Sequence, residues 1–115
     1  MKTNFMNNLS AYIEFLSKGE YIHRHENGRG EYFAEIQEII SAFYASDLID
    51  YEYMRTAPEL MQNLSQTIDT LTLEQVKSCI TFVIRSEHFG EGLLLGFLEN
   101  GTLLSLCKRL LDLQN

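Results

Sequence analysis

The side chains best suited to chemistry lie together near the predicted end of one helix: Arg85, Glu87 and His88. Arginine binds anions through a planar fork of N–H donors, and a histidine oriented by a carboxylate can act as a general acid or base. As a structural alternative, His88 and Arg85 interact with the last carbonyls of the helix, or Arg85 pairs with Glu91 or Glu99. The phenylalanine and glycines that follow are typical of turns and packing, so the pattern favours the structural alternative.

A second group of possible ligands lies in the segment 20–30, where His23, His25 and Glu26 occur close together. Imidazole and carboxylate groups bind zinc, and His88 would add a third imidazole if the fold brought it near. The His-x-His spacing is short and no second ligand pair follows it, so we predict no metal and no cofactor. The glycines of this segment match neither the dinucleotide-binding nor the Walker pattern, which favours a flexible contact loop.

The two cysteines, Cys79 and Cys107, fall on separate predicted helices. Two cysteines make neither a disulfide framework nor a zinc cluster, and neither belongs to a Cys-x-x-Cys motif. We therefore expect both to be small buried hydrophobic residues. A catalytic thiol working with His88 is the alternative.

An acidic, tyrosine-rich stretch near the middle of the chain is the best candidate for a contact surface. Tyrosine offers a large contact area at low entropic cost, and surrounding carboxylates steer a basic partner towards it. The alternative is that Tyr44 and Tyr51 are half-buried core residues with solvated hydroxyls. The candidate partner-binding residues are Asp47, Asp50, Tyr51, Glu52 and Tyr53.

The net charge of −7 is concentrated in the middle of the chain. Residues 1–30 sum to +1, residues 75–115 sum to zero, and residues 31–74 carry nine acids against the single base Arg55, a sum of −8. Such a field repels phosphates and anionic lipids, so we predict no direct binding to nucleic acid or membrane. It favours a protein partner with a basic surface, although solubility alone would also explain an acidic domain.

Length and composition indicate one globular domain over residues 1–115. A chain of 115 residues and 13.3 kDa, 45% hydrophobic, with one proline, is neither disordered nor fibrous. A chain of this size buries about two-thirds of its unfolded surface. No apolar run reaches the ~20 residues of a membrane helix, and the first residues do not resemble a signal peptide. We expect a soluble protein of a reducing compartment, the cytoplasm.

Apolar residues recur at helical spacing through most of the chain, and β-branched residues are too few for several strands. Gly19 is placed to end the first helix in the left-handed conformation, and Thr72 with Gln75 forms a capping-box pattern. Segment 20–30 is predicted to be a loop and segment 46–57 an irregular connector. The sequence thus predicts an all-α fold, a compact bundle of five to six short helices. The predicted helices span residues 4–18, 31–45, 58–69, 73–86, 91–99 and 102–113.

About two-thirds of the chain resembles a known type of domain, with a tightly spaced motif in the last third and a looser aromatic and acidic pattern over residues 43–54. Residues 82–92 (FVIRSEHFGEG), then Glu99-Asn100-Gly101 and the Arg109-Leu110 pair, are similar to the C-terminal half of an uncharacterised prokaryotic family, a domain of unknown function. Its members share an Arg-x-(Glu/Asp)-(Arg/His)-Phe-x-x-Gly turn followed by two helices. The resemblance implies a small bacterial or phage domain and supplies no reaction, cofactor or catalytic residue.

Two classes of function follow from these patterns. The first is an interaction or regulatory protein that docks on a basic partner through the acidic segment 31–74. The alternative is an enzyme or small-ligand-binding domain that uses Arg85, Glu87 and His88, which would require these side chains and His25 to converge on one pocket. The surplus of leucine in the last two helices also makes a homodimer possible.

Overall fold

A computed structural model of the chain describes residues 5–24 and 30–114, which fold as seven α-helices and one two-stranded hairpin. The predicted helical bundle is confirmed, with one predicted helix divided in two and one predicted loop partly replaced by the hairpin. The helices are α1 (Leu9–Ser17), α2 (Ala34–Tyr44), α3 (Ala57–Gln62), α4 (Leu64–Thr67), α5 (Leu73–Arg85), α6 (Leu93–Glu99) and α7 (Thr102–Asp112).

Helix α5 is the centre of the bundle and packs against α3, α6 and α7, while α1 packs on α7. The predicted capping box at its start is confirmed. The Gln75 side chain accepts the Thr72 N–H at 2.9 Å, and the Thr72 hydroxyl accepts the Gln75 N–H at 3.2 Å. Two of the free N–H groups at the helix start are therefore satisfied locally, which explains why the helix begins where the sequence predicts.

Aromatic rings join the N-terminal part of the chain to α2. The Phe5 ring lies 5.4 Å from the Tyr12 ring and 5.3 Å from the Phe43 ring, the latter in edge-to-face geometry. Phe5 and Phe43 are fully buried. The first helix begins at Leu9, after a turn, rather than near residue 4, which lies outside the described residues.

The predicted loop over 20–30 was wrong in part, because β1 (Ile22–Arg24) and β2 (Gly30–Tyr32) form an antiparallel hairpin. Ile22 pairs with Tyr32, and both side chains pack against the core. Strands of three residues are too short to show a period of two in sequence, and the core contacts stabilise the pair. His25 and Glu26 lie outside the described residues.

The single helix predicted over 58–69 was also wrong, because it breaks at Asn63 into α3 and α4 and ends in a 3₁₀ turn over Ile68–Thr70. The Thr67 hydroxyl donates to the Asn63 carbonyl at 3.1 Å, and the Thr70 hydroxyl donates to the Thr67 carbonyl at 2.7 Å. Asn63 leaves the helical conformation, with φ of −125° and ψ of 28°, and these hydroxyl bonds accompany the short turns that follow.

Helices α6 and α7 are joined by Asn100 and Gly101, and Gly101 has a φ of +82°. Only glycine adopts this conformation without steric cost, so the chain can reverse here in two residues. Gly19 also has a positive φ, as the sequence predicts for the end of α1. Among the described residues, none of the helices has the length and apolar character that crossing a bilayer requires.

Candidate functional site

The connector between α2 and α3, residues 46–56, is fixed to the central helix through Asp50. Its N–H donates to the Thr81 hydroxyl at 3.1 Å, and its carboxylate accepts a hydrogen bond from the Ser78 hydroxyl. The other carboxylate oxygen accepts the Glu52 N–H at 2.9 Å. Both carboxylate oxygens of Asp50 therefore have partners inside the protein, and this residue shapes the connector.

Ser78 and Thr81 are parts of this arrangement that the sequence analysis missed. Both are buried on α5 and are three positions apart, so they lie on the same face of the helix. The Thr81 hydroxyl donates to the Lys77 carbonyl at 2.8 Å and accepts from Asp50. Buried hydroxyls need hydrogen-bond partners, so two of them at this spacing on an otherwise apolar helix face indicate a polar partner elsewhere in the chain.

The five predicted partner-binding residues divide into two groups. Tyr51 has 89% of its surface exposed, and Asp47 and Glu52 are also exposed. Asp50 is half-buried against α5, and Tyr53 is only 7% exposed. The alternative that Tyr51 is half-buried was wrong, because Tyr51 projects into solvent, while Tyr53 belongs to the interior.

Tyr53 and Arg85 form the second attachment between the connector and α5. The Arg85 Nε donates to the Tyr53 hydroxyl at 3.4 Å, and its guanidinium carbon lies 5.8 Å from the centre of the Tyr53 ring. The Tyr53 ring also meets the edge of Phe82 at 6.3 Å. The hydrogen bond to Tyr53 raises the pKa of Arg85, with a smaller contribution from Tyr44. Arg85 is thus a permanent cation that helps to hold the connector.

Glu87 follows α5 in the sequence, but its carboxylate caps the start of α6. Its carboxylate accepts the Leu94 N–H at 2.8 Å, at the start of α6. A carboxylate is favourable at the positive end of a helix. His88 is exposed and makes no hydrogen bond or ion pair with another described residue. Arg85 and Glu87 therefore have separate structural partners, and Arg85 bonds to Tyr53 rather than to the last carbonyls of α5, Glu91 or Glu99, the contacts that the structural alternative predicts.

Replacing Glu87 by alanine is expected to lower the free energy of unfolding by about 1–2 kcal/mol, because the Leu94 N–H loses a charged acceptor. Glu87→Gln keeps an acceptor and should lose less than half as much. Urea denaturation measures both variants. Glu91→Ala, at an exposed carboxylate of the same turn, is the control and should change stability by less than about 0.5 kcal/mol. Equal stability of wild type and Glu87→Ala would contradict the capping role.

The first loop and the cysteines show no chemical centre among the described residues. The His23 ring packs on the Phe33 ring at 4.0 Å. Within residues 5–24 and 30–114, no three His, Cys, Asp or Glu side chains are grouped as metal ligands would be. Both cysteines are buried free thiols, and burial raises the pKa of Cys79 to about 11 and that of Cys107 to about 12. The predicted burial of both cysteines is confirmed.

Most of the surplus leucine of the last two helices is accommodated by the core. Leu94 and Leu103 are buried, and Leu95 and Leu104 pack partly against the same core. Leu93 is 44% exposed, beside a turn in which Phe89 is 63% exposed. The homodimer stays a prediction.

Comparison with known proteins identifies a family without an assigned activity. No curated protein and no solved structure matches this chain. The model of DUF6508, described as a family of unknown function, matches residues 4–115. The expectation of an uncharacterised domain family is confirmed, and the match extends over nearly the whole chain. The chain belongs to the DUF6508 family.

Proposed function

We propose that this domain is an interaction or regulatory protein that docks on a basic protein partner through segment 31–74. The observation that carries the proposal is the position of Tyr51, which projects into solvent on a connector that is fixed to α5 at Asp50 and at Tyr53. Exposed tyrosines are frequent contact residues at the centres of protein interfaces.

The distribution of charge supports a basic partner. Eight of the nine acidic residues in segment 31–74 are exposed, and the exception is Asp50. The single base, Arg55, is exposed and paired with Glu52 at 3.1 Å. Exposed charges of one sign accelerate the encounter with an oppositely charged surface, and the acceleration falls as salt rises.

Hydrogen bonds and ring contacts hold the connector on α5, so the connector is ordered before a partner binds. Asp50 is held by Ser78 and Thr81, and Tyr53 is held by Arg85 and Phe82. A surface that is ordered before binding loses less conformational entropy on association. The free buried thiols agree with the reducing cytoplasm as the proposed location. The resemblance of the Arg85 turn supports a bacterial or phage origin.

In a pull-down, the double variant Asp47→Lys/Glu52→Lys is expected to lose the partner. In binding kinetics at low salt, the association rate of the variant with the purified partner should be about tenfold or more below that of the wild type. Tagged wild type and variant are compared by pull-down from host lysate at low and high salt, followed by binding kinetics on the purified partner. Asp50 is left unchanged because its replacement would disturb Ser78 and the connector.

The matched control is Glu91→Lys/Asp112→Lys, which changes the net charge equally at exposed positions outside the segment. This control should retain the partner, and Tyr51→Ala should weaken binding without changing the salt dependence. Equal retention by both double variants, equal loss in both, or no stoichiometric partner at low salt would refute the proposal. Circular dichroism confirms that each variant is folded. No observation favours the alternative function based on Arg85, Glu87 and His88.

A further inference from the structure

A groove of about 540 Å³ lies between α3, the 3₁₀ turn after α4 and the start of α5. Its volume falls within the roughly 300–1,000 Å³ of ligand-binding pockets. Seven of its eight lining residues belong to segment 31–74. The groove is therefore part of the acidic segment, and Thr56 joins it directly to the connector.

Each threonine hydroxyl that lines the groove already uses its hydrogen in a hydrogen bond within the protein. Ser78 donates to the carboxylate of Asp50, so Thr56 must donate to Ser78, at 3.3 Å. Thr67 and Thr70 also donate to backbone carbonyls, at 3.1 and 2.7 Å. A hydroxyl has one proton and two lone pairs. All three threonines can consequently offer only acceptors to an occupant.

A carboxylate adds negative charge to this set of acceptors. Glu59 lines the groove, is exposed, and forms no ion pair with another described residue. Arg109 donates two N–H groups to the Leu71 carbonyl, at 3.1 and 2.9 Å, and is not part of the lining. Apart from the amides of Asn63 and Gln75, the lining side chains offer no N–H donor to an occupant, and none of them is a cation, so the groove favours a positively charged occupant that is rich in N–H donors.

The apolar part of the lining determines the shape of that occupant. Leu60 and Leu71 contribute aliphatic surface beside the threonines and Glu59. Lysine and arginine have an aliphatic stem that packs on apolar surface and a cationic end that remains among polar groups. A guanidinium has five N–H donors in a fixed plane, against three on an ammonium, so it can satisfy more of these acceptors at once.

We propose that this groove receives an arginine side chain, with the guanidinium against Glu59 and the threonine hydroxyls and the stem along Leu60. This inference rests on the proposed function, because it assigns the arginine to the basic partner. It names the chemical group that the partner must present, and it places that group beside the connector that carries Tyr51.

The test uses the whole chain and short blocked peptides, without the partner. Acetyl-Gly-Arg-Gly-amide is titrated into ¹⁵N-labelled protein, alongside peptides with lysine or with uncharged citrulline in place of arginine. The arginine peptide should shift the amide signals of residues 56–75, and lysine should bind at least threefold more weakly. Citrulline, which has nearly the same shape without the charge, should produce no saturable shift. Lysine binding as tight as arginine, or citrulline binding equally, would overturn the assignment.

Glu59→Gln should weaken binding of the arginine peptide about fivefold or more. The matched control is Asp69→Asn, which neutralises an exposed carboxylate of the same segment outside the lining and should change affinity by less than twofold. Equal effects of the two variants, or shifts centred on residues 47–52, would overturn the site. A partner lost by Asp47→Lys/Glu52→Lys but unaffected by Glu59→Gln would leave the docking function standing and refute the arginine groove.

Discussion

Replacing Phe43 by alanine is expected to lower the free energy of unfolding by about 3–5 kcal/mol. The Phe43 ring is fully buried on α2 and meets the Phe5 ring edge-on at 5.3 Å. Its removal leaves a cavity between elements that are distant in sequence and cannot easily close it. Domains of this size are stable by about 5–15 kcal/mol, so the variant is expected to lose a large share of its stability.

Urea denaturation of the purified proteins measures this loss, and the chain offers a control with the same chemical change. Phe89→Ala truncates a phenylalanine that is largely exposed, so its cost should stay below about 1 kcal/mol. Similar losses in the two variants would show that the Phe5–Phe43 contact is not a main element of the core. Because α2 leads directly into the connector, Phe43→Ala should also weaken partner binding.

Elements with local signals could be predicted from the sequence. The capping box of Thr72 and Gln75 depends on four consecutive residues, and α5 begins there. The glycine at position 19 ends α1 for a reason that is likewise local. Such signals act between near neighbours, so they remain the same whatever the rest of the chain does.

The hairpin and the break at Asn63 could not be predicted, because both depend on the rest of the fold. The three-residue strands exist because Ile22 and Tyr32 pack on the core. At Asn63 the apolar spacing continues as in a helix, and the side-chain bond of Thr67 to the Asn63 carbonyl accompanies the break. Periodicity records which residues are apolar and contains no information about such bonds.

The candidate site shows the same limit at the level of single residues. Asp50 and Glu52 look alike in the sequence, yet Asp50 bonds to residues 28 and 31 positions away on α5. Tyr51 and Tyr53 have the same side chain, but Tyr51 projects into solvent, whereas the Tyr53 ring packs edge-to-face with the Phe82 ring. An irregular connector has no periodicity that would indicate which of two tyrosines faces the solvent.

The two thiols are expected to react with iodoacetamide at pH 8 far more slowly in the folded protein than in the unfolded chain. Thiolate is the reactive form, and burial raises the pKa of Cys107 from 9.0 to about 12. The thiolate fraction of Cys107 at pH 8 is then roughly a thousandfold lower than in the unfolded chain. Mass spectrometry of alkylated peptides measures the two rates. A rapidly alkylated Cys107 in the folded protein would contradict its burial and revive the catalytic-thiol alternative.

Because burial raises the pKa of Cys107, the free energy of unfolding depends on pH above 9. The direction of this dependence follows from the number of protons bound in the folded and unfolded states. Between pH 9 and 12 the unfolded Cys107 has lost its proton while the folded one retains it, so the unfolded state binds fewer protons. The free energy of unfolding therefore falls as pH rises, by about 1.4 kcal/mol per pH unit for this thiol. The buried Tyr12 and Tyr21 and the partly buried Tyr32 have pKa values that desolvation raises, and they act in the same direction above pH 10.

The variant Cys107→Ala separates the contribution of this thiol from those of Cys79 and the tyrosines, which the variant retains. Its stability at pH 8 is lower because packing is lost, but its decline between pH 9 and 10.5 should be shallower than that of the wild type. Urea denaturation under reducing conditions at several pH values measures both slopes. Identical slopes would show that Cys107 titrates equally in both states and is not held in the apolar interior. A shallower slope would show that the interior around α7 keeps the thiol protonated, which is incompatible with a role as nucleophile at neutral pH.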